Sequence, residues 1–349
     1  MPGRRSCRTS KQRGRRMSTF MPVARILFKR LTLDTDRLQA RLARNPREAA
    51  HAIGDAAKRS SVAAQLVLGQ ILLDGRGTPR NPEAALTWFA RAAHSGNAEA
   101  RNMVGRCHEK GWGVPQNYVE AARHFEKATQ LGHVWAKVNL AQILMRLGDP
   151  ADRPRAFNLL REAAHAGNLK AINSVARFLE EGWVGPADPA GAARLYRIAA
   201  AKGDHWAQFN LATLLMRADE RERAIILFTQ AILASDTGFR RRIAPLLLEH
   251  PDLDLRRLGL DALARCAVAG DADDQYRYAI ALKGGAAGVP DPRQAAPWFR
   301  RAADQGHAEA IVRCRRMAVI RDTLRRQIRS ILHPGASRIP ATPLLQPLR

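Results

Sequence analysis

The stretch most suggestive of chemistry is a glycine-rich loop that leads into an amphipathic run, "GWGVPQNYVEAARHFEKA" from Gly111. The backbone amides of such a loop can cradle a phosphate group when a helix follows. This loop, however, lacks the Lys-Ser/Thr pair of a nucleotide-binding loop, and no strand-like run precedes it. It also recurs as "GRGTPRNPEAALTWFARA" from Gly75, with weaker copies from Gly182 and Gly284. A structural turn recurs with every unit, whereas a phosphate site occurs once or twice in a chain, so the loop is predicted only to turn the chain.

Residues suited to nucleophilic or metal chemistry are present without the spacing that such chemistry needs. No Lys has a Ser three positions before it, and neither GxSxG nor HExxH occurs. Histidines such as His108 and His124 stand at different positions of the recurring units, where solvated or capping roles are expected. No CxxC pair is formed by the four cysteines, Cys7, Cys107, Cys266 and Cys314. The sequence therefore predicts no enzyme, no catalytic residue, no cofactor and no metal site.

The net charge of +25 suggests a polyanionic partner, but most of the excess lies at the two ends. Residues 1–33 carry ten Lys or Arg and no acidic residue, and residues 311–349 carry nine and one. The surplus between residues 34 and 310 is only 7. The central part of the chain is therefore close to balanced, which weakens a nucleic-acid interpretation.

Several columns of residues share one period of about 36. A glycine closes each unit, at Gly96, Gly132, Gly167, Gly203, Gly270 and Gly306. Seven positions earlier each unit has an apolar residue, such as Phe89 or Phe125. A small residue also recurs, at Gly69, Gly105, Ala141, Ala176, Ala212 and Ala279. Small residues let helix axes approach to about 8–10 Å while aromatic side chains fill the space beside them.

Each unit is predicted to form two helices. Asn81 and Pro82 have the types of a helix cap and a first helical residue, and Gly96 ends the run that they begin. The predicted fold class is all-α, a right-handed α-solenoid (superhelix) of stacked antiparallel helix pairs. The predicted domains are a basic, largely flexible leader (1–44), an array of one half unit and seven helix pairs with degenerate fifth and sixth units (45–310), a basic capping helix (311–332) and a Pro-rich flexible tail (333–349).

These columns closely resemble the Sel-one-like repeat (SLR) family, which is related to the tetratricopeptide repeats. The resemblance covers roughly residues 45–310. One unit carries the whole pattern, in Leu68, Gly69, Gly75, Gly77, Trp88, Phe89, Ala92, Ala93 and Gly96. The next unit repeats it with Val104, Gly105, Gly111, Gly113, Phe125, Ala128 and Gly132. The resemblance implies an adaptor that holds other proteins together, often in bacterial signalling or envelope-related processes.

By analogy with tetratricopeptide arrays, the first helix of each pair lines a concave groove. Polar residues near the small-residue column are predicted to bind a partner protein or peptide there: Gln70, Arg106, Asn139, Gln142, Arg177, Asn210 and Thr213. The alternative is a basic helical-repeat protein that binds RNA or DNA, as pentatricopeptide arrays do. A basic segment, residues 22–33, could touch a membrane surface. A cytoplasmic location is expected because no convincing export signal or membrane span occurs.

Overall fold

The computed structural model of the chain describes residue 40 and residues 43–332. Most of the predicted leader, with its membrane contact through residues 22–33, and the predicted Pro-rich tail lie outside the described residues. Between residues 43 and 332 the chain forms sixteen α-helices and no strand. None of these helices combines the length and apolar content needed to cross a membrane.

The helices are numbered here in chain order. They are α1 (Pro46–Lys58), α2 (Val62–Asp74), α3 (Pro82–His94), α4 (Ala98–Lys110), α5 (Tyr118–Gln130), α6 (Val134–Leu147), α7 (Arg153–His165), α8 (Leu169–Glu180), α9 (Pro189–Ala201), α10 (His205–Arg217), α11 (Arg221–Ala234), α12 (Thr237–Leu248), α13 (Leu253–Ala269), α14 (Ala272–Gly284), α15 (Pro292–Asp304) and α16 (Ala308–Leu332). They fall into two compact units that divide between Ala207 and Gln208, within α10.

In the first unit, consecutive helices pack as hairpins. Helix α2 packs on α3, α4 on α5, α6 on α7 and α8 on α9, and the second helices α3, α5 and α7 also contact the first helix of the next pair. The second helices begin at the predicted caps. The Asn81 side chain accepts a hydrogen bond from the Ala84 N–H at 2.9 Å, and Pro82 occupies the first turn of α3.

The recurring loop between the two helices of a pair requires glycine at two positions, each for a different steric reason. Helix α4 ends at Gly111 in the left-handed conformation, with φ of 71°. The second glycine, Gly113, lies against the preceding pair, since a Cβ atom there would come within 2.4 Å of the Pro82 carbonyl oxygen. The equivalent distance from Gly77 to the Pro46 carbonyl oxygen is 2.1 Å. In these two units the loop thus packs against the start of the previous second helix.

The small-residue column lets the two helices of a pair approach closely. A Cβ atom added to Gly69 would come within 2.5 Å of Phe89 Cε1, and one added to Gly105 within 2.7 Å of Phe125 Cδ1. Both phenyl rings are completely buried. Glycine therefore leaves the space that the aromatic residue of the partner helix fills, as the sequence predicts.

The second unit has the same hairpins with local departures. Helix α12 packs on α13 and α14 on α15, and α16 packs on α15. Phe209 of α10 meets Phe228 of α11 edge to face at 5.2 Å. A short turn with Asp219 at φ of 61° replaces the glycine loop between α10 and α11, and α12 contains Pro245. The succession of hairpins confirms the predicted fold class, an all-α solenoid of paired helices.

Candidate functional site

Three of the predicted groove residues, Arg106, Asn139 and Gln142, line a single cleft in the first unit. The cleft has a volume of about 180 Å³ and lies on the first helices of three successive pairs, α4, α6 and α8. We call it the first-unit cleft. Its lining is formed by Glu99, Asn102, Met103, Arg106, Glu109, Lys110, Trp135, Asn139, Gln142 and Lys170.

Amide side chains connect the helices along the cleft. The Asn139 Nδ2 donates a hydrogen bond to Asn102 Oδ1 at 2.8 Å, which joins α6 to α4. The Lys170 ammonium on α8 donates to Gln142 Oε1 at 3.2 Å, which joins α8 to α6. Asn102 is buried, whereas Asn139 and Gln142 are half-buried. The half-buried amides can therefore also reach a ligand.

Two cations in the cleft are poorly solvated. Arg106 is half-buried, with its guanidinium 5.2 Å from the centroid of the Trp112 ring. Burial lowers the pKa of Arg106, and the charges of Glu109 and Glu99 offset part of that shift. Lys170 is exposed at its surface, but the protein atoms around its ammonium lower its pKa. The charge of Glu109 offsets part of that shift, and the charge of Arg106 adds to it.

The carboxylates of the cleft interact with other groups. The Glu109 Oε1 lies 2.7 Å from Lys110 Nζ, and the Glu99 Oε2 lies 2.7 Å from His133 Nε2. Within the described part of the chain, neither Arg106 nor Lys170 forms an ion pair. Arg106 and Lys170 therefore lie within reach of the charge of Glu109 but form no direct ion pair among the described residues, and an anionic group of a ligand would supply one.

The other predicted groove residues lie elsewhere. Gln70 is buried on α2, where its Nε2 donates to Asp74 Oδ1 at 2.8 Å. Burial raises the pKa of Asp74. Arg177 is exposed on α8, with its guanidinium 5.4 Å from the Trp183 ring centroid. Asn210 and Thr213 lie on α10 in the second unit, and the Thr213 hydroxyl donates to the Phe209 carbonyl at 3.0 Å. These four residues do not line the first-unit cleft.

Sequence reasoning missed most of the residues that complete the cleft. Glu99, Asn102 and Glu109 share the face of α4 that carries Arg106, at helical spacing. Trp135 and Lys170 lie three positions after the closing glycines Gly132 and Gly167, in the column of Glu99. The repeat register aligns these three residues, but an acidic, an aromatic and a basic side chain share no chemical character that would predict a site.

The lining of the cleft consists of amide, charged and apolar side chains. It contains no Ser, Thr, Cys or His. Elsewhere in residues 43–332, no group of three or more His, Cys, Asp or Glu side chains could hold a metal ion. The histidines His133 and His307 accept hydrogen bonds from the Ala136 and Ala310 N–H groups, in the capping role that the sequence predicts for histidine.

Solved structures similar to this chain are repeat proteins or share its helical fold. They include a protective antigen with an SLR fold from uropathogenic Escherichia coli (26% identical, TM-score 0.49, covering 77% of this chain and 59% of that chain). A Sel1 repeat protein from Oxalobacter formigenes is 23% identical, with a TM-score of 0.49, and the match covers 80% of this chain and 95% of that chain. Yeast Tom70 is 14% identical, with a TM-score of 0.51, and the match covers 84% of this chain and 62% of that chain. This likeness concerns the fold alone. The chain spans less than two thirds of the Escherichia coli and yeast proteins.

The Sel1 repeat model matches residues 62–97, 98–133, 136–168, 169–204 and 272–307, together just over half of the chain. Residues 205–271, which hold the fifth and sixth predicted units, lie between the last two matches. A search of curated proteins finds no match. The matched repeats carry the loop glycines and the small-residue column on which the hairpins depend. The chain therefore belongs to the Sel1 repeat family, a scaffold fold typical of protein-interaction adaptors.

Proposed function

We propose that the chain is a non-enzymatic adaptor that binds an extended segment of a partner protein in the first-unit cleft. The observation that carries this proposal is the pair of cations, Arg106 and Lys170, which line one cleft and form no ion pair in the described part of the chain. An acidic side chain or a terminal carboxylate of the partner would lie between them. Bacterial signalling or complex assembly is the expected setting, and a cytoplasmic location remains a prediction of the sequence.

The remaining groups of the cleft suit a polypeptide. The half-buried amides of Asn139 and Gln142 can donate to and accept from a peptide backbone. Trp135 offers an apolar wall with a polar indole N–H. A charge-assisted hydrogen bond contributes roughly 1.5–3 kcal/mol. Two such bonds at Arg106 and Lys170 would give the cleft a clear preference for acidic segments. Gln70, Arg177, Asn210 and Thr213 remain predicted partner contacts.

A nucleic acid fits the first-unit cleft less well. A row of phosphates would bring several negative charges past Glu99 and Glu109, whereas a single carboxylate needs to face only Arg106 and Lys170. The small surplus of basic residues between positions 34 and 310 provides little additional attraction. We therefore prefer a protein partner to RNA or DNA.

The experiment is affinity purification from the native host with three forms of the full chain as bait, followed by quantitative mass spectrometry. The forms are the unaltered chain, the Arg106→Gln/Lys170→Gln variant, and a control, Arg197→Gln/Lys202→Gln, in which two exposed cations are neutralised. We expect the control to recover the same partner as the unaltered chain. The cleft variant should recover at least about tenfold less of that partner.

Equal recovery by the cleft variant would show that the partner binds elsewhere. Loss of all captured protein after nuclease treatment would favour the nucleic-acid alternative. Binding of the identified segment should then be measured at two salt concentrations, because polyanion binding falls steeply with salt whereas a peptide with one or two acidic groups should lose little affinity.

A further inference from the structure

Helix α16 differs from α2 and α4 at two positions of the repeat register. Arg315 occupies the column of small residues that contains Gly69 and Gly105. Arg321 occupies the position at which Gly111 ends α4. Since no glycine ends α16 there, the helix continues to Leu332.

The first departure disfavours the packing of another second helix of the repeat type on α16. At Gly69 and Gly105 even one added Cβ atom would come within 2.5 and 2.7 Å of the phenylalanine of the partner helix. Arg315 presents a much larger side chain at the equivalent position. A repeat helix from a second copy would meet the same obstacle, so this side of α16 suits an occupant of another kind.

That side carries a groove that continues into an apolar stripe. The groove has a volume of about 730 Å³ between α16 and the preceding pair, and Phe299, Met317 and Ile320 form part of its apolar lining. Met317 and Ile320 also begin a stripe along α16 that continues with Leu324, Ile328 and Ile331. The intervals of three and four residues place these side chains on one face. They are exposed by 39% to 75%.

Cations flank the stripe with few carboxylates to neutralise them. Between residues 311 and 332 there are seven arginines and one acidic residue, Asp322, which lies 3.7 Å from Arg321. Glu309 also lines the groove, where it accepts a hydrogen bond from the Tyr276 hydroxyl. On the helix, Arg316 falls to one side of the stripe and Arg325 to the other. In the part of the chain that the structure describes, neither Arg316 nor Arg325 forms an ion pair. A second copy of α16, or the basic segment 333–349, would bring like charges onto this surface.

We infer that the groove and stripe of α16 bind an amphipathic helix of a partner protein that carries acidic residues beside a narrow apolar face. The concave groove and the narrow stripe suit a helix better than a lipid bilayer, which presents a flat surface and requires a broad apolar face. The partner's apolar residues pack on Met317 to Ile331, and its carboxylates face Arg316 and Arg325. This surface lies within the second unit and is separate from the first-unit cleft.

The test uses the full chain and two synthetic helical peptides of about 20 residues, long enough to follow the stripe. Both peptides carry the same leucine stripe, with Glu on the flanks of one and Lys on the flanks of the other. Fluorescence anisotropy measures their affinity for the unaltered chain, for Leu324→Ser/Ile328→Ser, and for the control Ile226→Ser/Leu246→Ser, whose residues are similarly exposed. We expect the Glu peptide to bind the unaltered chain and the Lys peptide to bind it at least about tenfold more weakly. The stripe variant should lose about tenfold in affinity for the Glu peptide, and the control variant should lose none.

Absence of binding by the Glu peptide, equal binding of the two peptides, or full affinity in the stripe variant would overturn the inference. Sedimentation with phosphatidylserine vesicles that depends on Leu324 and Ile328 would assign the surface to a membrane instead. A dimer in light scattering that disappears in the stripe variant would assign it to a second copy. The Arg106→Gln/Lys170→Gln variant should bind the Glu peptide normally, so failure here is distinguishable from failure of the proposed function.

Discussion

The side-chain amide of Asn139 donates a hydrogen bond to Asn102 Oδ1, 2.8 Å away, and so links two successive helix pairs at the first-unit cleft. Asn102 is only 4% exposed, so water cannot readily replace this partner. The contact does two things. It satisfies a buried acceptor, and it positions the Asn139 side chain at the surface where we propose that a partner binds.

We expect Asn139→Ala to destabilise the chain by about 1–2 kcal/mol, because it leaves the Asn102 oxygen buried without its donor. Urea unfolding monitored by circular dichroism measures the change. The matched comparison is a double-mutant cycle with Asn102→Ala. The free energy lost in the double variant should be smaller than the sum of the losses in the two single variants. Additive losses would mean that the hydrogen bond contributes nothing.

The small-residue column leads to a prediction about glycine. Gly69→Ala adds a Cβ atom 2.5 Å from a phenyl ring that is fully buried and cannot move aside. We expect a loss of about 1–3 kcal/mol in the free energy of unfolding, despite the better helix propensity of alanine.

The control for this substitution is Gly54→Ala in α1, where an added Cβ atom would meet nothing within 4 Å. It should stabilise the chain by roughly 0.5–1 kcal/mol. Phe89→Leu combined with Gly69→Ala should recover part of the loss, because the smaller side chain removes the clash. If both alanine variants were stabilising, the steric account of the column would be wrong.

Helix α6 depends on an unusual cap. His133 Nδ1 accepts a hydrogen bond from the Ala136 N–H at 3.0 Å, so the proton of the neutral ring lies on Nε2, which faces Glu99 Oε2 at 2.7 Å. Asn97 and Asn168 occupy the equivalent cap positions of α4 and α8.

We expect His133→Asn to keep the cap and lose only the link to Glu99. His133→Ala should lose both and be less stable than the Asn variant by about 1 kcal/mol. Thermal unfolding of the two variants side by side measures the difference. Equal stability would show that the cap contributes little.

The sequence was sufficient for the fold because the repeat columns state steric requirements directly. Gly69 with Phe89, and Asn81 with Pro82, each predict a contact or a cap that lies within one hairpin. The division between Ala207 and Gln208 was not predicted, since it falls inside α10, where the helical pattern continues without a break.

The first-unit cleft was only partly predictable. Arg106, Asn139 and Gln142 were found because they neighbour the small-residue column, which sets their direction on each helix. Gln70 also stands one position after the small residue, as Arg106 and Gln142 do, but its side chain donates a hydrogen bond to Asp74, four residues later on its own helix. Whether a polar residue faces a ligand or a neighbour depends on side-chain partners that repeat spacing does not specify.

The stability of the chain should depend on pH through His124. Burial, together with the charges of His108 and Lys127, lowers the pKa of His124 below its ordinary value. The His124 ring stacks on His108 with centroids 5.4 Å apart. In the unfolded chain the His124 ring takes up a proton near the ordinary pKa of about 6.5. Between the two pKa values the unfolded chain therefore binds more protons than the folded chain, so stability is full above about 6.5 and falls as the pH drops towards the lowered pKa.

We expect His124→Gln to reduce this loss of stability, because the group that takes up a proton on unfolding is removed. Urea midpoints of the unaltered chain and the variant should be compared from pH 8 to pH 5, with exposed His94→Gln as the control. The curve of the control should parallel that of the unaltered chain, while the curve of the His124 variant should be flatter below about 6.5. If all three curves were parallel, the folded environment of His124 would have no effect on its protonation.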